Sequence, residues 1–200
     1  MKFEPLRLAG IARVTHDVFR DERGAFMETW HARKYATGGI DHDFVQDNWS
    51  ESRRGVLRGL HYQLTQPQGK LVAVVAGEIF DVVVDLRRNS PTFGQWISET
   101  LSADSGAAFW VPPGFAHGFY VTSERATVLY KCTNFYHPAG ERTLRWDDPE
   151  LAIAWPLVDG QPPILSQKDA AGKVLADADC YEDDPAKAWV LQWPRSRALA

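Results

Sequence analysis

From Lys70 to Thr133 the chain is a succession of short apolar runs separated by turn residues. No other feature restricts the fold as much. Lys70–Val75, Ile79–Leu86, Trp96–Leu101, Ala107–Val111, Gly118–Val121 and Thr127–Thr133 are all of strand length, and most are rich in β-branched or aromatic residues. In Ile79–Leu86, Asp81 and Asp85 interrupt an otherwise apolar run. Asn89-Ser90-Pro91-Thr92 and Ala103-Asp104-Ser105-Gly106 supply turn chemistry between runs. Many short strands with few helical periods predict an all-β sandwich or barrel. A short helix is predicted within Thr29–Thr37. Beyond Asp148-Pro149 the pattern changes. Leu151–Trp155 reads as one more short strand, after which Pro156, Pro162 and Pro163 impose an irregular path. Ser166 then reads as the N-cap of a short helix, with Asp169 three residues later.

A chain of 200 residues is expected to form one domain, here 1–182, with 183–200 as a C-terminal extension carrying Trp189 and Trp193. The net charge of −4 argues against nucleic-acid binding, which needs a broad basic face. A local arginine cluster could still hold a small anion. Cys132 and Cys180 form no CxxC pair and no disulfide framework, so reduced thiols in a cytoplasmic protein are expected. The N-terminal MKFEPLRLAG has no apolar core of a signal peptide, and no run approaches the length of a membrane span, so no membrane association is expected.

The segment Gly55–Gly77, GVLRGLHYQLTQPQGKLVAVVAG, places His61, Gln63 and Lys70 between closing glycines, and Pro112–His117 has the form P-x-G-x-x-H. Together these resemble the two motifs of cupins, jelly-roll β-barrels that usually hold a metal. A metal-holding cupin would have a second histidine at the Gln63 position and a glutamate near Lys70. Glutamine is a poor ligand for a transition metal, an ammonium repels a cation, and His61 with His117 alone does not make a competent site. The expectation is a cupin-type jelly-roll barrel with no metal and no cofactor. A fixed organic cation there suits chemistry in which a developing oxyanion is stabilised.

Further motifs occur in order: Asp21-Glu22-Arg23-Gly24, Phe44-Val45-Gln46-Asp47-Asn48, Leu57-Arg58-Gly59-Leu60-His61-Tyr62-Gln63, Gln68-Gly69-Lys70-Leu71-Val72, Asp81–Arg87, Ser90–Gly94, Gly114–Phe119, Tyr130-Lys131 and Ser166–Asp169. Over roughly Val14–Ala171 the chain resembles the dTDP-4-dehydrorhamnose 3,5-epimerase family. The resemblance implies a dTDP-linked 4-keto-6-deoxy hexose as substrate, inversion at C3 and C5, and a homodimer with exchanged N-terminal strands. Hydrogens at C3 and C5 are acidic because the carbanion delocalises onto the C4 ketone. Inversion then needs a base on one face, a cation near the oxygen and an acid on the other face.

By resemblance His61 is the base with Asp169 as its carboxylate partner, Lys70 the enolate stabiliser and Tyr130 the opposite acid. Arg23 and Arg58 match positions that hold the diphosphate, where guanidinium forks suit phosphate oxygens. Gln46, Asp47, Asn48, Glu28, His117, Glu141 and Lys168 match further substrate contacts, and Tyr136 an aromatic that stacks on thymine. Several have a plainer alternative: barrel packing for His61, Tyr130 and Tyr136, part of a helix N-terminus for Asp169, a solvated surface for Lys70 and the arginines. Three functional alternatives stand beside the double epimerase. They are a mono-epimerase of a deoxysugar pathway, a metal-dependent cupin oxygenase or isomerase, and a non-catalytic nucleotide-sugar binding protein.

Overall fold

A computed structural model describes residues 1–185. The strands are β1 (Lys2–Pro5), β2 (Ala12–Thr15), β3 (Val18–Asp21), β4 (Gly24–Met27), β5 (Gln46–Arg53), β6 (Leu57–Gln63), β7 (Lys70–Ala76), β8 (Glu78–Asp85), β9 (Trp96–Ser102), β10 (Ala107–Val111), β11 (Phe115–Val121), β12 (Arg125–Cys132) and β13 (Glu141–Thr143). Among the described residues there are two short α-helices, α1 (Ala32–Thr37) and α2 (Gln167–Ala170), and four 3-10 turns. A six-stranded sheet runs β1-β2-β10-β7-β12-β5, a five-stranded sheet runs β13-β6-β11-β8-β9, and β3-β4 form a separate hairpin. The strand pairings are antiparallel, and the architecture is jelly-roll-like: the short-strand pattern predicts an all-β sandwich or barrel, and the cupin resemblance the jelly roll.

The inner faces of the two sheets bury one core. Val72, Val74, Phe109 and Val128 from one sheet meet Ile79, Val83, Leu101 and Phe119 from the other. Strand β8 is covered on both sides, which explains its nearly continuous valine run. Val83 faces the inter-sheet core, while Val82 and Val84 pack outward under Leu151, Ile153 and Leu175. The irregular C-terminal stretch is therefore a lid on the outer face of the five-stranded sheet. Leu151–Trp155 is not a strand: its apolar spacing records packing onto that sheet, and its amides bond locally, Ala152 N–H to Asp148 O and Trp155 N–H to Ile153 O.

On the outer face of the other sheet, the segment around α1 lays Trp30, Tyr35, Ile40 and Phe44 over Val14, Leu71 and Trp110. Among the described residues the outer side of β5 and β12 carries exposed apolar side chains, with Trp49 and Leu129 as direct cross-strand partners. Asp85 organises the Asn89–Thr92 turn, accepting bonds from Arg87, Ser90 and Thr92. The Ser166 cap forms as expected, its Oγ accepting the Asp169 amide at 3.1 Å. Both cysteines are free thiols. Among the described residues no helix is long and apolar enough to cross a membrane. Trp189 and Trp193 lie outside the described residues.

Candidate active site

One end of the barrel interior is apolar core, and the other opens into a cavity of about 350 Å³. Val111, Phe115 and Phe119 belong to both, so the core forms the cavity floor. Strand alternation explains most of the wall. On β5 the side chains of Gln46, Asn48 and Ser50 point inward at two-residue spacing. Strict alternation on β6 would send Arg58 and His61 to opposite faces, yet both line the cavity. The register against β11 shifts between His117↔His61 and Phe119↔Arg58. Gly59 (φ +118°) and Gly118 make this possible: a Cβ on either would lie 2.6 Å from the facing backbone.

His61 and His117 are thus direct cross-strand neighbours, each tied to a buried carboxylate. His61 Nε2 meets Asp169 Oδ1 at 2.5 Å, Asp169 being held at the start of α2 by the Ser166 cap. With Nε2–H donating, the imidazole lone pair lies on Nδ1, which no described residue bonds. His117 Nε2 lies 2.9 Å from both oxygens of Asp81. Burial pushes the His61 pKa below the ordinary histidine value, with the Lys70 and Lys168 charges acting the same way and Asp169 opposing. Burial raises Asp169, but the His61 ring, Ser166 and Lys168 outweigh this and leave it lowered. Asp81 is raised by burial, against the pull of His117 and Lys70.

Lys70 and Tyr130 come from the opposite sheet. Their strands are adjacent, with Lys70 opposite Cys132 and Tyr130 opposite Val72. Among the described residues nothing hydrogen-bonds the Lys70 ammonium, which lines the cavity. Burial holds its pKa below the ordinary lysine value, with Cys132, Glu141 and Asp81 opposing. Burial raises the Tyr130 phenol, so it keeps its proton at neutral pH. A neutral imidazole from one sheet therefore faces an ammonium and a phenol from the other. That set can take a proton from carbon, stabilise an oxyanion and return a proton from a different direction.

At the mouth, Glu141 accepts bonds from Lys168 Nζ (2.8 Å) and Tyr136 OH (2.7 Å). Arg58 is anchored by Nε to Ser52 Oγ at 2.9 Å. The structure brings together His61, Lys70, Tyr130, Asp169, Gln46, Asn48, Arg58, His117, Tyr136, Glu141 and Lys168. It does not bring in three others from the same chain. Arg23 sits at the tip of the β3–β4 hairpin, bonded to Asp21. Glu28 pairs with Lys34. Asp47 alternates to the outer face of β5, its side chain 64 % exposed and paired with Lys131. Ser50, Gln68 and Phe119 also line the cavity. Ser50 has even spacing to Gln46 and Asn48, which would find it once β5 is read as a strand; Gln68 and Phe119 lie within the matched motifs, which do not single them out as contacts.

Among the described residues no three His, Cys, Asp or Glu side chains converge as a metal cage would. The site and fold define a jelly-roll barrel whose ionisable interior is arranged for acid–base chemistry. The sequence profile of the dTDP-4-dehydrorhamnose 3,5-epimerases matches residues 5–177, and the chain belongs to that family. An enzyme of that name from Pseudomonas aeruginosa is 54% identical over 182 residues, covering 90% of this chain and 99% of its own. A crystal structure of the Legionella pneumophila 3,5-epimerase in complex with dTDP-4-keto-L-rhamnose superposes with a TM-score of 0.85 at 50% identity, over 89% of this chain and 94% of that one. A 3'-monoepimerase from Streptomyces bikiniensis, in complex with dTDP-quinovose, gives a TM-score of 0.81 at 35% identity, over 86% and 87%.

Proposed function

We infer that this chain inverts C3 and C5 of dTDP-4-dehydro-6-deoxy-D-glucose, giving dTDP-4-dehydro-L-rhamnose. The observation that carries the reading is the placement of His61, backed by Asp169 of α2, on one sheet and Lys70 with Tyr130 on the other. His61 Nδ1 takes the proton from the carbon beside the ketone. The C–H electron pair becomes the enolate, whose oxygen the Lys70 ammonium stabilises. Tyr130 donates its phenolic proton to the opposite face of that carbon, and solvent restores both groups. Asp169 orients the imidazole and stabilises the imidazolium. Arg58 holds the diphosphate, Tyr136 stacks on the base, and Gln46, Asn48, His117, Glu141 and Lys168 contact the remaining polar groups. The greater identity to the double epimerases favours inversion at both carbons over the mono-epimerase reading.

Arg23 and Glu28 reach a site only if the hairpin that carries or adjoins them inserts into a second copy. Phe19 and Phe26, paired across that hairpin, are 64% and 70% exposed, which supports a homodimer with exchanged N-terminal strands. The free thiols favour a cytoplasmic setting. Incubation with dTDP-4-keto-6-deoxyglucose in deuterated water tests the reaction. Deuterium at both C3 and C5 of an L-configured product is expected; label at one carbon identifies a mono-epimerase, and no label a binding protein.

A further inference from the structure

Tyr136 stands at the cavity mouth, 51% exposed, and its backbone is gripped from beneath by two glutamines. Gln63, only 4% exposed, ends β6 and bridges two loops. Its Nε2 donates to the carbonyls of Gln66 (2.8 Å) and Phe135 (3.2 Å), and its Oε1 accepts the His137 amide (2.9 Å). Gln46 Oε1 accepts the Tyr136 amide at 2.9 Å. Both peptide units flanking Tyr136 are therefore held by side-chain carboxamides. The same loops are joined by Gln68 Nε2 to Asn134 O and by Gly69 N–H to Thr133 Oγ1, both 2.8 Å. Glu141 fixes the far end of the ring by accepting the Tyr136 hydroxyl.

A primary carboxamide suits this clasp because one flat group offers two donors and an acceptor. A glutamate could accept from His137 but would set a carboxylate against two carbonyls. An exposed loop aromatic left free would sample many conformations and lose them on binding; holding its backbone beforehand removes that cost.

We propose that Gln63 is a positioning residue that presets Tyr136 as the stacking surface for the ligand's nucleobase. This rests on the reading of Tyr136 given above. The position that carries a metal-binding histidine in other cupins then governs affinity at the nucleoside end of the ligand.

Calorimetric titration of dTDP against the parent, Gln63→Glu, Gln63→Met, Tyr136→Ala and the Gln63→Glu/Tyr136→Ala double variant tests this. Each single change should weaken dTDP about tenfold, the size of a lost base–aromatic stack. The double variant should bind no more weakly than Tyr136→Ala alone, and inorganic diphosphate should bind all of them equally. With the sugar nucleotide, the Gln63 variants should lose mainly in KM, whereas general damage to the fold would lower kcat and thermal stability. Parent-like dTDP affinity in the Gln63 variants, or losses that add in the double variant, would overturn the proposal. If Tyr136→Ala itself binds dTDP like the parent, the stacking reading fails and the proposal falls with it. Should the Gln63 variants not fold, amide exchange of the ligand-free parent decides. The His137 amide should exchange at least about 100-fold more slowly than an open loop, and open-loop exchange would overturn the clasp.

Discussion

Burial lowers the proton affinity of both His61 and Lys70, with opposite consequences for the reaction. The base must be neutral to act, so a lowered value keeps His61 ready at physiological pH. The cation must keep its proton, so a lowered value brings Lys70 nearer to losing it. The profile of kcat/KM against pH should therefore have its acid limb below about 6.5 and its alkaline limb below about 10.4. An acid limb above neutrality would remove His61 as the base. Lys70→Met should lower kcat about 10²- to 10³-fold, the cost of losing one oxyanion donor, with KM little changed. A change confined to KM would assign Lys70 to ground-state binding. At this scale much of the cavity lining was legible only through the ordered motifs that resemble the family, which named Gln46, Asn48, Lys70 and Tyr130; the strand alternation that turns them inward is a finding of the structure. What was hidden depends on long-range register. Arg58 and His61 share the cavity only through the shift at Gly59, and Gln63 meets partners some 70 residues away.

Among the elements, the β6–β11 pair is the most constrained. Gly118→Ala would set a Cβ 2.6 Å from the Arg58 carbonyl, against backbone that cannot yield without moving His117 and His61. It should cost more than about 2 kcal/mol by denaturant unfolding and lower activity in the protein that folds. Parent-like stability would mean the strands can separate at this point. The stretch over the outer face of β8 makes a second test. Leu144→Ala, fully buried between that sheet and the C-terminal segment, should cost about 2–5 kcal/mol. The strands from β7 to β12 were readable from apolar runs and turn residues. Leu151–Trp155 was misleading because side-chain alternation reports which face is buried, whereas strand identity depends on a hydrogen-bonding neighbour, which that stretch lacks.

For the whole molecule, the β3–β4 hairpin with its exposed Phe19 and Phe26 carries the proposed dimer. Phe26→Asp should shift the protein toward monomer in light scattering and weaken dTDP binding, since it would withdraw the partner's Arg23 from the site. Unchanged mass and affinity would count against strand exchange. The central claim is that the two sheets supply base and acid from opposite sides of one sugar ring. It is tested most directly by Tyr130→Phe, which deletes one hydroxyl and nearly preserves ring volume. His61 can still remove a proton, and Lys70 can still hold the enolate, but the imidazolium can return a proton only to the face it left. Solvent-deuterium incorporation and product stereochemistry, measured together on this variant, should show exchange persisting while inversion falls. Inversion at the parent rate would contradict the account, because the second proton would then come from somewhere other than Tyr130.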